Sequence, residues 1–146
     1  MHTYTHLDMF LVTKDPRTEF EPVDWQLPSG LVSLAAELFS IGGAAVWMKK
    51  AQPLALGGSL FRYTERRKIF GRPHQCFENC YVQRLANPSS LHYIGYGLFD
   101  NTTLNGQVWA FHCWLVQGTT LLETIEPMPT AYWGRGVQQA DHHQKV

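Results

Sequence analysis

The chain has 146 residues, 45% of them hydrophobic, which is enough for one domain with a substantial core. Twelve basic and twelve acidic side chains cancel, so no broad field selects nucleic acid or a strongly charged protein as the main partner. Three cysteines, an odd number, and a start at residues 1–6 that lacks the marks of an export signal, point to free thiols in a reducing, cytoplasmic setting.

Residues 1–29 place a short apolar piece at Met9 to Val12 among Asp15-Pro16, Glu21-Pro22 and Pro28, which predicts an extended arm or short strand with loops. Ser29-Gly30 can cap a helix in which Leu31, Leu34, Leu38 and Ile41 recur at helical spacing, and Gly42-Gly43 ends or bends it. Residues 44–50 are expected to continue that helix, with Lys49 and Lys50 suiting its C-terminus. The apolar stretch 31–48 carries Glu37, Ser40 and two glycines, too polar for a membrane span. Residues 59–69 can be read two ways. Phe61 and Tyr63 alternate as in a strand, whereas Arg62, Arg66, Arg67, Lys68 and Arg72 suit a solvated helix or loop face.

Gly71-Arg72-Pro73 forms a loop that delivers the chain to Cys76. From there Phe77, Cys80, Tyr81, Arg84 and Leu85 recur at three- and four-residue spacing, predicting a helix to about residue 87, where Pro88 stops it. A helix N-terminus carries roughly half a positive charge and free N–H donors, so it favours a thiolate over a thiol. Residues 91–99, with Gly95 and Gly97, read as a strand with a bulge or kink. Residues 107–116 form the strongest strand, 119–126 its hairpin partner, and Tyr132-Trp133-Gly134 a short last segment before a polar tail at 138–146 that is expected to fray. The expected architecture is a single α+β domain, with a helical and loop portion over residues 1–70. A core over 71–137 then packs the cysteine helix on an antiparallel sheet of at least three strands.

Turn chemistry predicts the register of the late hairpin. A two-residue loop at Gln117-Gly118 pairs Val116 with Thr119 and, counting back, Trp114 with Leu121 and His112 with Glu123. Directly opposed residues hold their Cβ atoms about 4.5–5.5 Å apart on one face. A carboxylate is thereby predicted beside an imidazole, downstream of a cysteine at a helix start. That is the order of a thiol nucleophile, its base and the group that orients the base.

Cys76 opening a helix, Leu91-His92-Tyr93-Ile94-Gly95-Tyr96, His112-Cys113-Trp114 and Leu122-Glu123-Thr124-Ile125-Glu126-Pro127 together resemble the transglutaminase-like core of the papain-like cysteine hydrolases, over roughly residues 71–127. The resemblance implies Cys76 as nucleophile, His112 as base and Glu123 as the orienting acid, with Glu126 in reserve. It implies attack on a peptide or side-chain amide to give a thioester, with no cofactor and no metal. Cys113 stands where this family usually has alanine, Glu123 stands in place of aspartate, and no proline separates it from Thr124. The Cys76 N–H would supply one oxyanion donor and Gln75 is a candidate for the second. Tyr96, Trp109, Trp114 and Trp133 are candidates to line a substrate cleft, against the alternative that they are core.

Two other readings stay open at this stage. Cys76, Cys80, His112 and Cys113 supply four soft ligands for a structural zinc, although His112 and Cys113, adjacent on a strand, point to opposite faces. The same fold without activity would serve as a binding module. The expected partner is a peptide or protein substrate, with neither nucleic acid nor a membrane, and the pattern does not fix an oligomeric state.

Overall fold

A computed structural model describes residues 2–5, 9–15, 29–49 and 58–137. The expected tail at 138–146 and the turn signals around residues 21–22 and 52–53 lie outside the described residues. In chain order the elements are β1 (His2–Thr5), β2 (Met9–Val12), α1 (Ser29–Ile41), β3 (Ala45–Lys49), β4 (Ser59–Phe61), β5 (Glu65–Lys68), α2 (Cys76–Ala86), β6 (Leu91–Asn101), β7 (Gly106–Gln117), β8 (Thr120–Glu123) and β9 (Tyr132–Gly136). The class is α+β, with a mostly antiparallel sheet.

The nine strands among the described residues share one sheet in the order β1-β2-β3-β7-β6-β9-β4, while β8 pairs with β7 and carries β5. Two of the pairings are parallel, β3 with β7 and β5 with β8. The sheet therefore runs through both the 1–70 and the 71–137 portions, and the expected N-terminal helices are corrected, among the described residues, to one helix among strands.

Helix α1 forms as its spacing predicts, burying Leu31, Leu34, Ala35 and Leu38. It stops at Gly43, whose φ of 90° suits glycine. The Trp109 indole N–H then donates to the Gly42 carbonyl at 2.9 Å and to the Leu38 carbonyl at 3.1 Å, which also accepts from the Gly42 N–H, so the helix end is tied to β7. The expected continuation over 44–50 is thus overturned. After the glycines, Ala45, Val46 and Met48 are buried in β3, a central strand between β2 and β7.

The ambiguous stretch 59–69 resolves into two short strands. Helix α2 ends at Asn87, whose N–H still bonds to the Gln83 and Arg84 carbonyls, just before Pro88. Its buried stripe is Phe77, Asn79 and Cys80, narrower than the spacing predicted, since Tyr81 and Leu85 are exposed. The bulge or kink expected at Gly95 and Gly97 is also corrected. The β6–β7 ladder runs unbroken from Leu91↔Val116 to Asn101↔Gly106. Gly95 instead allows close approach of β9, because a Cβ there would lie 2.0 Å from the Trp133 carbonyl oxygen.

Alternation along β7 divides the interior. Trp109, Cys113 and Leu115 join the main core with Leu38, Phe77, Cys80 and Ile94, whereas Trp114 packs with Leu121 and Tyr132 in a second cluster beside Tyr63 and Tyr93. Along one edge β7 pairs with β3 at Val108 and Trp109, and with β8 from Leu115 onward. Residues 110–114 have no strand partner on that edge among the described residues.

Candidate active site

The site lies at this break in the ladder. The turn into α2 is held from three directions. Ile69 donates its N–H to the Glu123 carbonyl at 2.7 Å, and the Asn79 side chain both accepts from the Arg72 N–H and donates to the Arg72 carbonyl, at 2.9 and 2.7 Å. Gly71 packs so closely on Thr124 that a Cβ would lie 2.3 Å from its carbonyl oxygen. A hydrogen bond from the Gln75 N–H to the Arg72 carbonyl closes a turn with Pro73 and His74 at its centre. His74 takes a φ of 61°, the conformation the third position of a type II turn demands. Cys76 follows as the first helical residue, partly exposed, with no side-chain cap over the helix start.

His112 and Glu123 are both fully buried, and His112 Nε2 lies 2.9 Å from Glu123 Oε2. The predicted direct pairing of these residues is nevertheless wrong. The loop is Gly118-Thr119, with φ 64° at Gly118, so Gln117 pairs with Thr120 and Leu115 with Leu122. Glycine at the first loop position is the chemistry of a type II′ hairpin. The register is therefore two residues from that predicted. A slip of two keeps every side chain on its face, and Glu123 reaches the ring diagonally. Glu123 also accepts from the Tyr132 hydroxyl at 2.8 Å and from the Thr124 N–H at 3.2 Å. Three donors thus fix both oxygens, and Glu126 is exposed, away from this arrangement.

The electrostatics favour an ion pair. Hydrogen bonding from the Cys113 thiol, and after it the influence of the His112 imidazole, holds Cys76 well below the ordinary thiol range despite the opposing effect of burial. Burial disfavours charge on His112, but the Glu123 carboxylate and then the Cys76 thiolate outweigh it and raise the imidazole from 6.5 to about 9. His112 Nδ1 is buried without a closed hydrogen bond, so of the two ring nitrogens it is the one not engaged by Glu123. Cys80 and Cys113 go the other way: burial, reinforced by the nearby Cys76 charge, pushes both thiols well above their ordinary value. Only one of the three thiols is thereby set up as a thiolate.

His112 and Cys113 do point to opposite faces, yet both act on one sulfur, since the break in the ladder gives the start of α2 access to each. Among the described residues, no group of three His, Cys, Asp or Glu side chains is arranged to hold a metal ion.

The remaining sequence candidates separate. Gln75 is exposed beside Cys76. Tyr96 and Trp114 are fully buried, and Trp133 is 3% exposed. Trp114 donates to the Tyr63 hydroxyl at 3.1 Å, and Trp133 donates to Glu37. These three, like Trp109, are core side chains that a substrate does not reach in this structure, which corrects their assignment to a cleft. Sequence reasoning missed Tyr132, Asn79 and the donor role of Cys113. Asn79 had a legible signal, an amide on the otherwise apolar side of α2, whereas Tyr132 becomes visible only once β9 is known to pair with β6.

No family model, curated protein or solved structure matches this chain. No described helix is long and apolar enough to cross a membrane.

Proposed function

We propose that this protein is a cysteine-dependent acyl-transfer enzyme acting on a peptide or side-chain amide, on a transglutaminase-like core. The observation that carries the reading is His112, hydrogen-bonded at Nε2 to Glu123 with Nδ1 unengaged, beside a Cys76 thiol whose pKa it helps to hold low. Burial of His112 and Glu123 adds support. A buried charged pair is often no more stable than apolar packing of the same shape, so its presence calls for a role other than stability.

The Cys76 thiolate attacks the amide carbonyl carbon, forming the S–C bond, and the carbonyl electrons move to oxygen. N–H groups at the open start of α2 hold that oxyanion. On collapse the C–N bond breaks, and the His112 imidazolium gives its proton to the departing amine, leaving a Cys76 thioester. Water or an amine then attacks the thioester, neutral His112 takes the proton, and the thiolate is restored. Glu123 keeps the imidazole in one orientation and stabilises its charged form throughout. The substrate is a peptide or protein, and the free thiols suit a cytoplasmic setting.

The test is incubation with a mixed pool of peptide amides, reading new termini, ammonia release or amine incorporation by mass spectrometry. Products with the wild type and none with Cys76→Ala support the reading. No products from the wild type, together with ordinary Cys76 reactivity, exclude it and leave a binding scaffold.

A further inference from the structure

The whole chain is neutral, yet residues 62–78 carry five basic side chains against two acidic ones. This segment frames the site. In β5, Lys68 pairs with Glu123, and Arg66 hydrogen-bonds to the Pro129 carbonyl and to the Tyr132 hydroxyl that itself holds Glu123. Beyond Ile69 the chain turns at Arg72–Gln75 straight into Cys76. Every residue of β5 is exposed, and so are Arg72 and His74.

The two acidic residues offset this charge only in part. Glu65 takes a bond from the Thr119 hydroxyl at 3.3 Å, and Glu78 lies exposed in the first turn of α2. The guanidinium groups of Arg67 and Arg72 have no ion-pair or hydrogen-bond partner among the described residues. A solvated face would carry such charges anywhere on the surface. Here they lie on the one segment that runs from β5, beside the strand carrying Glu123, through the turn into Cys76, where like charges sum their fields.

We infer that Arg67 and Arg72 select an acidic peptide segment as the acyl donor, pairing its carboxylates while the amide to be attacked is presented to Cys76. Guanidinium suits this task because it stays charged at any working pH and binds carboxylates through two parallel hydrogen bonds. The inference rests on Cys76 being the nucleophile, and it deepens that reading by naming what the nucleophile acts upon.

Two reagents of nearly equal size, anionic iodoacetate and neutral iodoacetamide, measure the field at the sulfur. Their rate ratio at Cys76 is read in each variant, so a change in thiolate content cancels. At pH about 10 an ordinary thiol is ionised and arginine remains charged, and His112, with a value of about 9, is mostly neutral. The ratio then reports the arginines whether or not the Cys76–His112 pair exists, so failure of the two readings can be told apart. The ratio is expected to fall about two-fold for Arg67→Gln or Arg72→Gln and about four-fold for both together. In the wild type it should also fall between ~0.01 M and ~1 M salt, as the Debye length shrinks from about 30 to about 3 Å. At low salt, hexaglutamate should protect Cys76 from iodoacetamide and hexaglutamine should not. A ratio unmoved by the double substitution, or equal protection by the two peptides, overturns the inference.

Discussion

Glu123 Oε2 stands 2.9 Å from His112 Nε2 although the two residues are not cross-strand partners. The β7–β8 ladder, continued one step beyond Leu115↔Leu122, sets Glu123 opposite Trp114. The diagonal reach lets Glu123 also accept from the Tyr132 hydroxyl, so the carboxylate is fixed from both sides.

Glu123→Gln keeps the shape and removes the charge. Since the carboxylate is the main influence raising His112, the imidazole should drop from about 9 by roughly one to two units, and Cys76 should rise. Imidazole proton shifts followed by NMR against pH measure the first change, and thiolate absorbance in the ultraviolet measures the second.

The pair also governs stability against pH. His112 has a folded value of about 9, above its ordinary 6.5, so its contribution is complete below 6.5 and is lost as pH rises toward 9. Cys76 is lowered, so its contribution is present at alkaline pH and is lost as pH falls toward its folded value. Across 6.5 to 9 the two slopes oppose each other. Urea denaturation of the wild type should therefore be nearly flat there. Cys76→Ala should lose up to about 2 kcal/mol from the acid to the alkaline end.

Cys113 donates its thiol to the Cys76 sulfur, the largest influence holding that thiolate. Cys113→Ala should raise the apparent Cys76 pKa, and Cys113→Ser, which keeps a donor, should restore most of the shift. A pH profile of Cys76 absorbance in both variants checks this, and equal profiles would mean that Cys113 only fills space.

Tyr132→Phe removes a donor to a buried carboxylate and changes little in volume. The expected cost is about 2 kcal/mol, read as a shift in urea midpoint at constant slope.

Much of this site is visible in one dimension because its chemistry is local. The placement of Cys76 follows from a loop, a helix period and Pro88, and the His112–Glu123 encounter follows from face alternation, which tolerates an error of two in register but not of one. What stayed hidden depends on distant pairing. Residues 45–49 become a strand because β2 and β7 flank them, and nothing within Ala-Val-Trp-Met-Lys requires it. Arg66, a surface charge by its pattern, reaches the site only because β5 lies parallel to β8. The aromatic residues misled for the same reason: Trp114 and Tyr96 sit at strand spacing, and which face meets solvent is decided by layers that local pattern does not encode.

The most direct measurement is the pH dependence of Cys76 alkylation by iodoacetamide, read by mass spectrometry against Cys80 and Cys113, in the wild type and in His112→Ala. Cys76 alone should react quickly near neutral pH, with an apparent pKa well below the ordinary value of about 8.5, and the advantage should vanish in the variant. Cys76 reacting no faster than an ordinary thiol, or equally fast without His112, would contradict the thiolate–imidazolium pair and the enzyme built on it.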